Sequence, residues 1–143
     1  MSSLRRKARE LVLQSLYQSE LNGKPVSENF LMLREHFEIN KKALPYATEL
    51  IDGLVEHYNS IDLQISQSTE NWRVERMSLI DRNIIRIGAY ELCYRPDIPA
   101  EVVINEALEV AKRYSTDEAT PFINGILDGI VKHIAKRPES ETK

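Results

Sequence analysis

The stretch Leu79-Ile80-Asp81-Arg82-Asn83-Ile84-Ile85-Arg86-Ile87-Gly88-Ala89-Tyr90-Glu91-Leu92-Cys93-Tyr94 decides the fold of this chain. Its Ile and Leu residues fall on nearly every face of a 3.6-residue repeat, which makes it a helix. A helix that is apolar nearly all round belongs at the centre of a packed structure. Ser78 reads as its N-cap, with Asp81 three residues on as an acidic variant of the capping box. Arg95-Pro96-Asp97-Ile98-Pro99 stops it with two prolines.

Outward from this centre, every other periodic segment is also helical. A helix over about 99–114 carries Val102, Val103, Ala107, Val110 and Ala111. Thr120-Pro121 opens the last one, with Thr as cap and Pro in the favoured first position, and it ends near residue 136. In the other direction, residues 69–77 hold the single Trp72 and form an irregular or short helical connection. A long helix is expected over about 41–68, with Pro45 in its first turn. Its seam is Leu44, Ala47, Ile51, Leu54, Val55, Tyr58, Ile61 and Ile65. A shorter helix over about 27–37 turns Phe30, Leu31, Leu33 and Phe37 inward. The first helix, capped by Ser3, runs to about residue 19 on the stripe Leu4, Ala8, Leu11, Val12 and Leu16. Asn22-Gly23-Lys24-Pro25 ends it. Six helices in two sets of three result, divided near residue 70. The expected fold is all-α, a single domain of two packed three-helix bundles: about 1–70, about 71–137, and a polar tail over 138–143.

The chain has 143 residues, of which 42% are hydrophobic and 29% charged, enough for one well-packed domain. One cysteine, Cys93, excludes an intramolecular disulfide framework, and its apolar surroundings make it an inert thiol. No segment has the length of a membrane span and the N-terminus lacks a signal-peptide apolar region, so a cytoplasmic location is expected. The net charge of −3 argues against a general polyanion binder. Its distribution argues differently: residues 1–20 carry +2 and residues 132–143 carry +2, leaving −7 in the middle. Nucleic acid would meet a local patch, and the acidic middle suits a basic protein.

Catalytic patterns are missing. His36, His57 and His133 lack ligand spacing, and no phosphate-binding loop, dinucleotide glycine pattern or zinc-protease motif occurs. No cofactor or metal is expected. Asp52 with Glu56, and Glu106 with Glu109, read as solvated or salt-bridged helix faces. Gly125 and Gly129, with Asp128 between them, read as close packing against a neighbouring helix rather than a membrane dimer motif.

The first helix is the exception to this bland picture. Arg5, Arg6, Lys7 and Arg9 crowd its N-terminus, where cations oppose the helix dipole at about 0.3–1 kcal/mol each. Either the terminus is frayed and solvated, or the cations meet phosphates. On a helical wheel Arg6, Leu13 and Tyr17 lie together, away from the Leu4/Ala8/Leu11 stripe, with Arg9 at its flank. A tyrosine beside arginines suits stacking on single-stranded RNA.

These segments resemble the NusB family of transcription antitermination factors over nearly the whole chain. The opening Arg-Arg-x-Ala-Arg-Glu leading to Leu-Tyr stands as residues 5–10 and Leu16-Tyr17. The central motif is Arg86-Ile87-Gly88-Ala89-Tyr90-Glu91-Leu92. The late signature is Pro99, Ile104-Asn105-Glu106-Ala107, Glu109, Ala111-Lys112 and Phe122-Ile123-Asn124-Gly125-Ile126-Leu127-Asp128. The resemblance implies two packed three-helix bundles and no catalysis. It implies binding of the single-stranded boxA element of nascent ribosomal RNA leaders, jointly with NusE, the small-subunit ribosomal protein. Assembly with NusA, NusG and RNA polymerase follows, and some relatives form homodimers that could cover the RNA surface.

Carried over by position, Arg6 and Arg9 contact phosphates, Arg5 belongs to the same basic segment, and Tyr17 contacts a base. Phe122 lies near the RNA, Glu118 borders the RNA and NusE surfaces, and Asp81 sits near that junction. Asn105, Glu106, Asn124 and Asp128 are read as a structural polar network. Position 121 is Pro where many relatives have Lys, so one RNA-facing charge is missing. Two other classes compete: an RNA-targeting fragment of a ribosomal RNA methyltransferase, and a helical protein-interaction module without RNA contact.

Overall fold

A computed structural model describes residues 3–69 and 76–135. Trp72, most of the connection expected over 69–77, and everything from residue 136 onward, including the tail, lie outside the described residues. Seven α-helices are found among those described, and no strand: α1 Leu4–Asn22, α2 Val26–His36, α3 Leu44–Glu56, α4 Tyr58–Ser68, α5 Leu79–Tyr94, α6 Ala100–Tyr114 and α7 Ala119–Ala135. The helices α1, α2 and α3 pack on one another, as do α5, α6 and α7, and α1 joins the two sets by lying against α5 and α6.

The central helix is as its sequence demands. Every residue from 83 to 91 in α5 is buried. Ser78 caps it, its Oγ accepting the Asp81 N–H at 3.1 Å. α1 runs one turn further than its apolar stripe suggests and ends at Gly23, whose φ of 73° only glycine adopts without strain.

Other boundaries move for identifiable reasons. The helix expected over 41–68 is three pieces: a 3-10 turn over Lys41–Ala43, then α3, then α4. The break falls at His57, whose φ and ψ of −109° and 19° leave the helical region. The break lets α4 turn onto α5 and α7, and it throws Val55 of the expected seam out to solvent. On the outer helix α2, Phe30 and Leu33 point inward as expected, but Leu31 and Phe37 are 50% and 63% exposed. Leu31 lies on the open face of α2, and Phe37 falls beyond the helix as its extended C-cap. α7 begins at Ala119, one residue before the expected cap. Thr120 therefore caps nothing and its Oγ instead donates to Asp117 O at 2.9 Å. Pro121 still falls within the first turn, where a missing N–H is harmless.

Glycines set three helix crossings. A Cβ on Gly53 of α3 would lie 2.2 Å from the Tyr90 hydroxyl, and one on Gly88 of α5 would lie 2.9 Å from Leu127. A Cβ on Gly129 of α7 would lie 2.8 Å from the backbone oxygen of Ser68 in α4. Close packing is thus the role of Gly129, but Gly125 has nothing within 4 Å and only lowers helix propensity. Gly129→Ala should destabilise the fold by about 1–3 kcal/mol, because backbone must retreat. Gly125→Ala should stabilise it by about 0.5–1 kcal/mol. Urea titrations of the two variants should move the midpoint in opposite directions.

The end of α1 is locked to α5 and α4 by a charged cluster. Glu20 accepts from Arg82 Nε at 3.0 Å, Arg86 Nη1 at 3.0 Å and Asn83 Nδ2 at 2.8 Å. Arg86 also holds Asp62 of α4 through Nε at 2.8 Å and Nη2 at 3.0 Å, with its guanidinium 4.7 Å over the Tyr58 ring. Burial opposes the Glu20 charge, but Arg82, Arg86 and Asn83 together hold its carboxyl below the ordinary value. A depressed folded-state value means the stabilisation is present above the unfolded carboxyl range and is lost as pH falls through it. Chemical denaturation between pH 7 and pH 3 should show that loss, and Glu20→Gln should flatten the acid limb relative to the parent chain.

Candidate nucleic-acid interface

The basic first turn of α1 receives carboxylates from other helices. Ser3 caps it, its Oγ accepting the Arg6 N–H at 3.0 Å, and no acidic residue lies in that turn. The compensation arrives instead from α5 and α6. Arg9 is 3% exposed, and its Nε and Nη2 grip Glu91 of α5 at 2.9 and 2.8 Å while Nη1 reaches Glu106 of α6 at 3.2 Å. Arg6 meets the same Glu106 through Nε at 3.2 Å and Nη2 at 2.5 Å. Tyr46 of α3 donates its hydroxyl to Glu91 in a short hydrogen bond. Two guanidiniums thus face two carboxylates, a balanced set joining four helices.

Arg9, Glu106 and Tyr46 of this set are shifted towards the forms that pair. Burial works against the Arg9 charge, yet the Glu91 hydrogen bonds outweigh it and its pKa is raised. The Arg6 hydrogen bond first, opposed by burial, holds the Glu106 carboxyl below its ordinary range. Burial, then the Glu91 charge, push the Tyr46 hydroxyl far above its usual range, so it remains a donor. Apolar Ile84, Ile87, Ala107 and Val110 line the space beneath.

What remains available to a ligand lies outside this set. Arg5 and Lys7 are exposed and the Arg6 side chain is 25% exposed. Arg5 sits 4.9 Å over the Tyr46 ring, on the flank of α1 towards α3. Lys7 and Gln14, seven residues apart on one side of α1, are both exposed. Tyr17 stands at the edge of that exposed strip, half-buried. It lines an open cleft of about 470 Å³ with Leu11, Gln14 and Gln18 of α1 and Leu33 and Phe37 at the end of α2. Leu13, grouped with Arg6 and Tyr17 by the helical wheel, is buried.

α1 and α6 run parallel. Arg6 pairs with Glu106, and one turn on Glu10 pairs with Arg113, whose Nη1 lies 3.1 Å away. The seam between them therefore leads from the arginine-rich turn towards the C-terminus of α6, over the ~16 Å separating Arg6 from Tyr17 along the helix axis. At its far end lies the α6–α7 junction. Asp81 accepts the Ser115 hydroxyl at 2.5 Å there, and Glu20 ties α1 to the adjacent Arg82. Glu118 is exposed just before α7, and Phe122 is half-buried in its first turn. Arg6 and Tyr17 thus lie along α1, Asp81 lies against the α6–α7 junction that Glu118 and Phe122 follow, Arg5 lies on the α3 flank of α1, and Arg9 is buried.

Sequence reasoning placed Glu106 among Asn105, Asn124 and Asp128. Asn105 and Asn124 are exposed, and Asp128 pairs with Lys132 at 3.1 Å on the surface of α7. It passed over Tyr46 and gave Glu91, though part of the central motif, no role. The available signal was Glu91 itself, a charge inside a helix whose neighbours are apolar on every side, which burial obliges to find a cation. Among the described residues no group of three metal-ligating side chains occurs, and no helix is long and apolar enough to cross a membrane.

Comparison with known proteins matches this architecture closely. The sequence model of the NusB family matches residues 6–132. The transcription antitermination protein NusB of Thermodesulfovibrio yellowstonii is 48% identical over 138 residues, covering 90% of this chain and 91% of that protein. Its counterpart in Desulfitobacterium hafniense is 40% identical, covering 94% and 93%. A T. maritima NusB structure superposes with a TM-score of 0.81 at 37% identity, over 99% of this chain and 98% of that one. A structure of the antitermination factors NusB and NusE in complex with double-stranded RNA gives 0.82 at 30% identity, over 93% and 99%. The chain belongs to the NusB family of transcription antitermination proteins.

Proposed function

We propose that this chain binds the single-stranded boxA element of ribosomal RNA leader transcripts together with NusE, and so supports processive ribosomal RNA transcription in the cytoplasm. Members of the family are transcription factors and RNA-binding proteins rather than enzymes. The observation that carries the reading is the face just described. It joins exposed basic groups at one end to Tyr17 and Phe122 at the other, on a molecule whose middle is acidic. Phosphates meet Arg5, Lys7 and the outer edge of Arg6, while Tyr17 offers its ring to a base. Arg9 serves this site from below, by holding α1 against α5 and α6. The acidic remainder suits a basic ribosomal protein, and the NusB relative seen with NusE and RNA shares the fold. NusA, NusG and RNA polymerase complete the proposed assembly.

Fluorescence anisotropy with a short boxA-like RNA, a scrambled RNA and a duplex, each with and without NusE and at two salt concentrations, tests this reading. Selective binding of the single-stranded boxA sequence, tightened by NusE and weakened by salt, is expected. Equal binding of all three RNAs in the presence of NusE would overturn it. The arginines should separate in the same assay. Arg5→Ala should weaken RNA binding at unchanged stability. Arg9→Ala should destabilise the fold by about 3–5 kcal/mol in urea, since it strands Glu91 among apolar side chains.

A further inference from the structure

Six arginines among the described residues hydrogen-bond carboxylates, and five of them do so in the same way. Arg6, Arg9, Arg82, Arg86 and Arg95 each present the Nε–Nη2 edge, the paired donors that fit a carboxylate or a phosphate. Arg113 does not. Only its Nη1 meets Glu10, at 3.1 and 3.3 Å, and no other hydrogen bond from its guanidinium is found among the described residues. Its side chain is 64% exposed, and the guanidinium lies 5.4 Å over the ring of Tyr114. Its paired-donor edge is therefore unused while its position is held by Glu10 and Tyr114.

Its position matters as much as its geometry. Arg113 is seven residues beyond Glu106 on the same side of α6, and Glu10 is one turn beyond Arg6 on α1. Arg113 thus stands in the last turn of α6, next to the α6–α7 junction that Glu118 and Phe122 follow, and its guanidinium reaches Glu10, one turn from the basic turn of α1. Position 121 at that junction is Pro and supplies no charge. We propose that Arg113 is a phosphate-binding residue of the RNA face, offering its free Nε–Nη2 edge to the backbone of a strand that runs from α1 to α7. The proposal rests on the reading of that face as an RNA site.

A purely structural Arg113 would also sit well here, as a cation in the last turn of α6 with a carboxylate neighbour. The salt dependence of RNA binding separates the two roles. With NusE present and a boxA-like RNA, Arg113→Ala should bind about fivefold to tenfold more weakly, and the slope of log affinity against log salt should fall by about 0.7, one phosphate on a single strand. Arg113→Lys should recover most of the slope. Arg34→Ala, which removes an exposed cation from α2 beside Phe30, should change neither quantity. An unchanged slope in Arg113→Ala, with the parent chain binding selectively, would overturn the proposal and leave the proposed function standing. If the parent chain itself shows no selective binding, the reading of the face fails and Arg113 with it.

Discussion

The burial of Arg9 against Glu91 and Glu106 is the constraint on which the rest of the structure depends. A guanidinium this deep is tolerated only when its donors are taken up by carboxylates, and the carboxylates must arrive from elements already in place. Here they come from α5 and α6, with Tyr46 of α3 closing the set from the other bundle. Because the contacts are directional and carry no net charge, they fix the rotation of α1 about its own axis and its position along its neighbours. Apolar packing alone tolerates small slips of a helix; a bidentate ion pair among apolar side chains does not.

The same device recurs about three turns along α1. Glu20 and Asp62 face Arg82 and Arg86 in a second balanced set that binds α1 to α5 and α4. With one such set near each end, α1 is held at two points rather than one, and its exposed strip is presented as a straight edge between α6 and α2. The close approaches at Gly53, Gly88 and Gly129 bring the remaining helices near one another around these ionic contacts. Precision at the exposed face is therefore a product of charges placed underneath it.

Much of the fold was legible in the sequence because it rests on local signals. The uniformly apolar α5, the Gly23 stop and the Ser78 cap are written in the residues beside them. The family resemblance also rests on order and spacing that a linear reading can see. What escaped was non-local. His57 carries no breaker chemistry, and α3 turns into α4 there because α5 and α7 offer α4 a better surface. Leu31 stayed out because α2 has one packed face, which periodicity cannot count, and Phe37 because the helix ends before it. At the candidate site the depth of each residue was not legible in the sequence. Arg6 and Arg9 differ by three positions on one helix, and which of them is sealed depends on carboxylates nearly a hundred residues away.

The four cations that seemed to oppose the helix dipole now divide into two tasks. Arg9, and in part Arg6, have their charge met by Glu91 and Glu106, so the apparent cost at the helix terminus is offset within the protein. No ligand is needed to explain them. Arg5 and Lys7 have no such carboxylate on them among the described residues, and it is their exposed charge on which the proposed RNA contact rests. The division has a consequence for the face as a whole. Glu106 and Glu10 bring negative charge to the very seam that a nucleic acid would follow, so a phosphate strand is repelled except where a cation stands in front of them. Arg6 and Arg113 stand in front of those two carboxylates respectively. Such alternation rewards a strand whose phosphates fall in register with the two guanidiniums and penalises one that does not. On the proposed reading of this face, a strand laid along the seam would be held to one register, which is what an RNA site needs before Tyr17 could read a particular base.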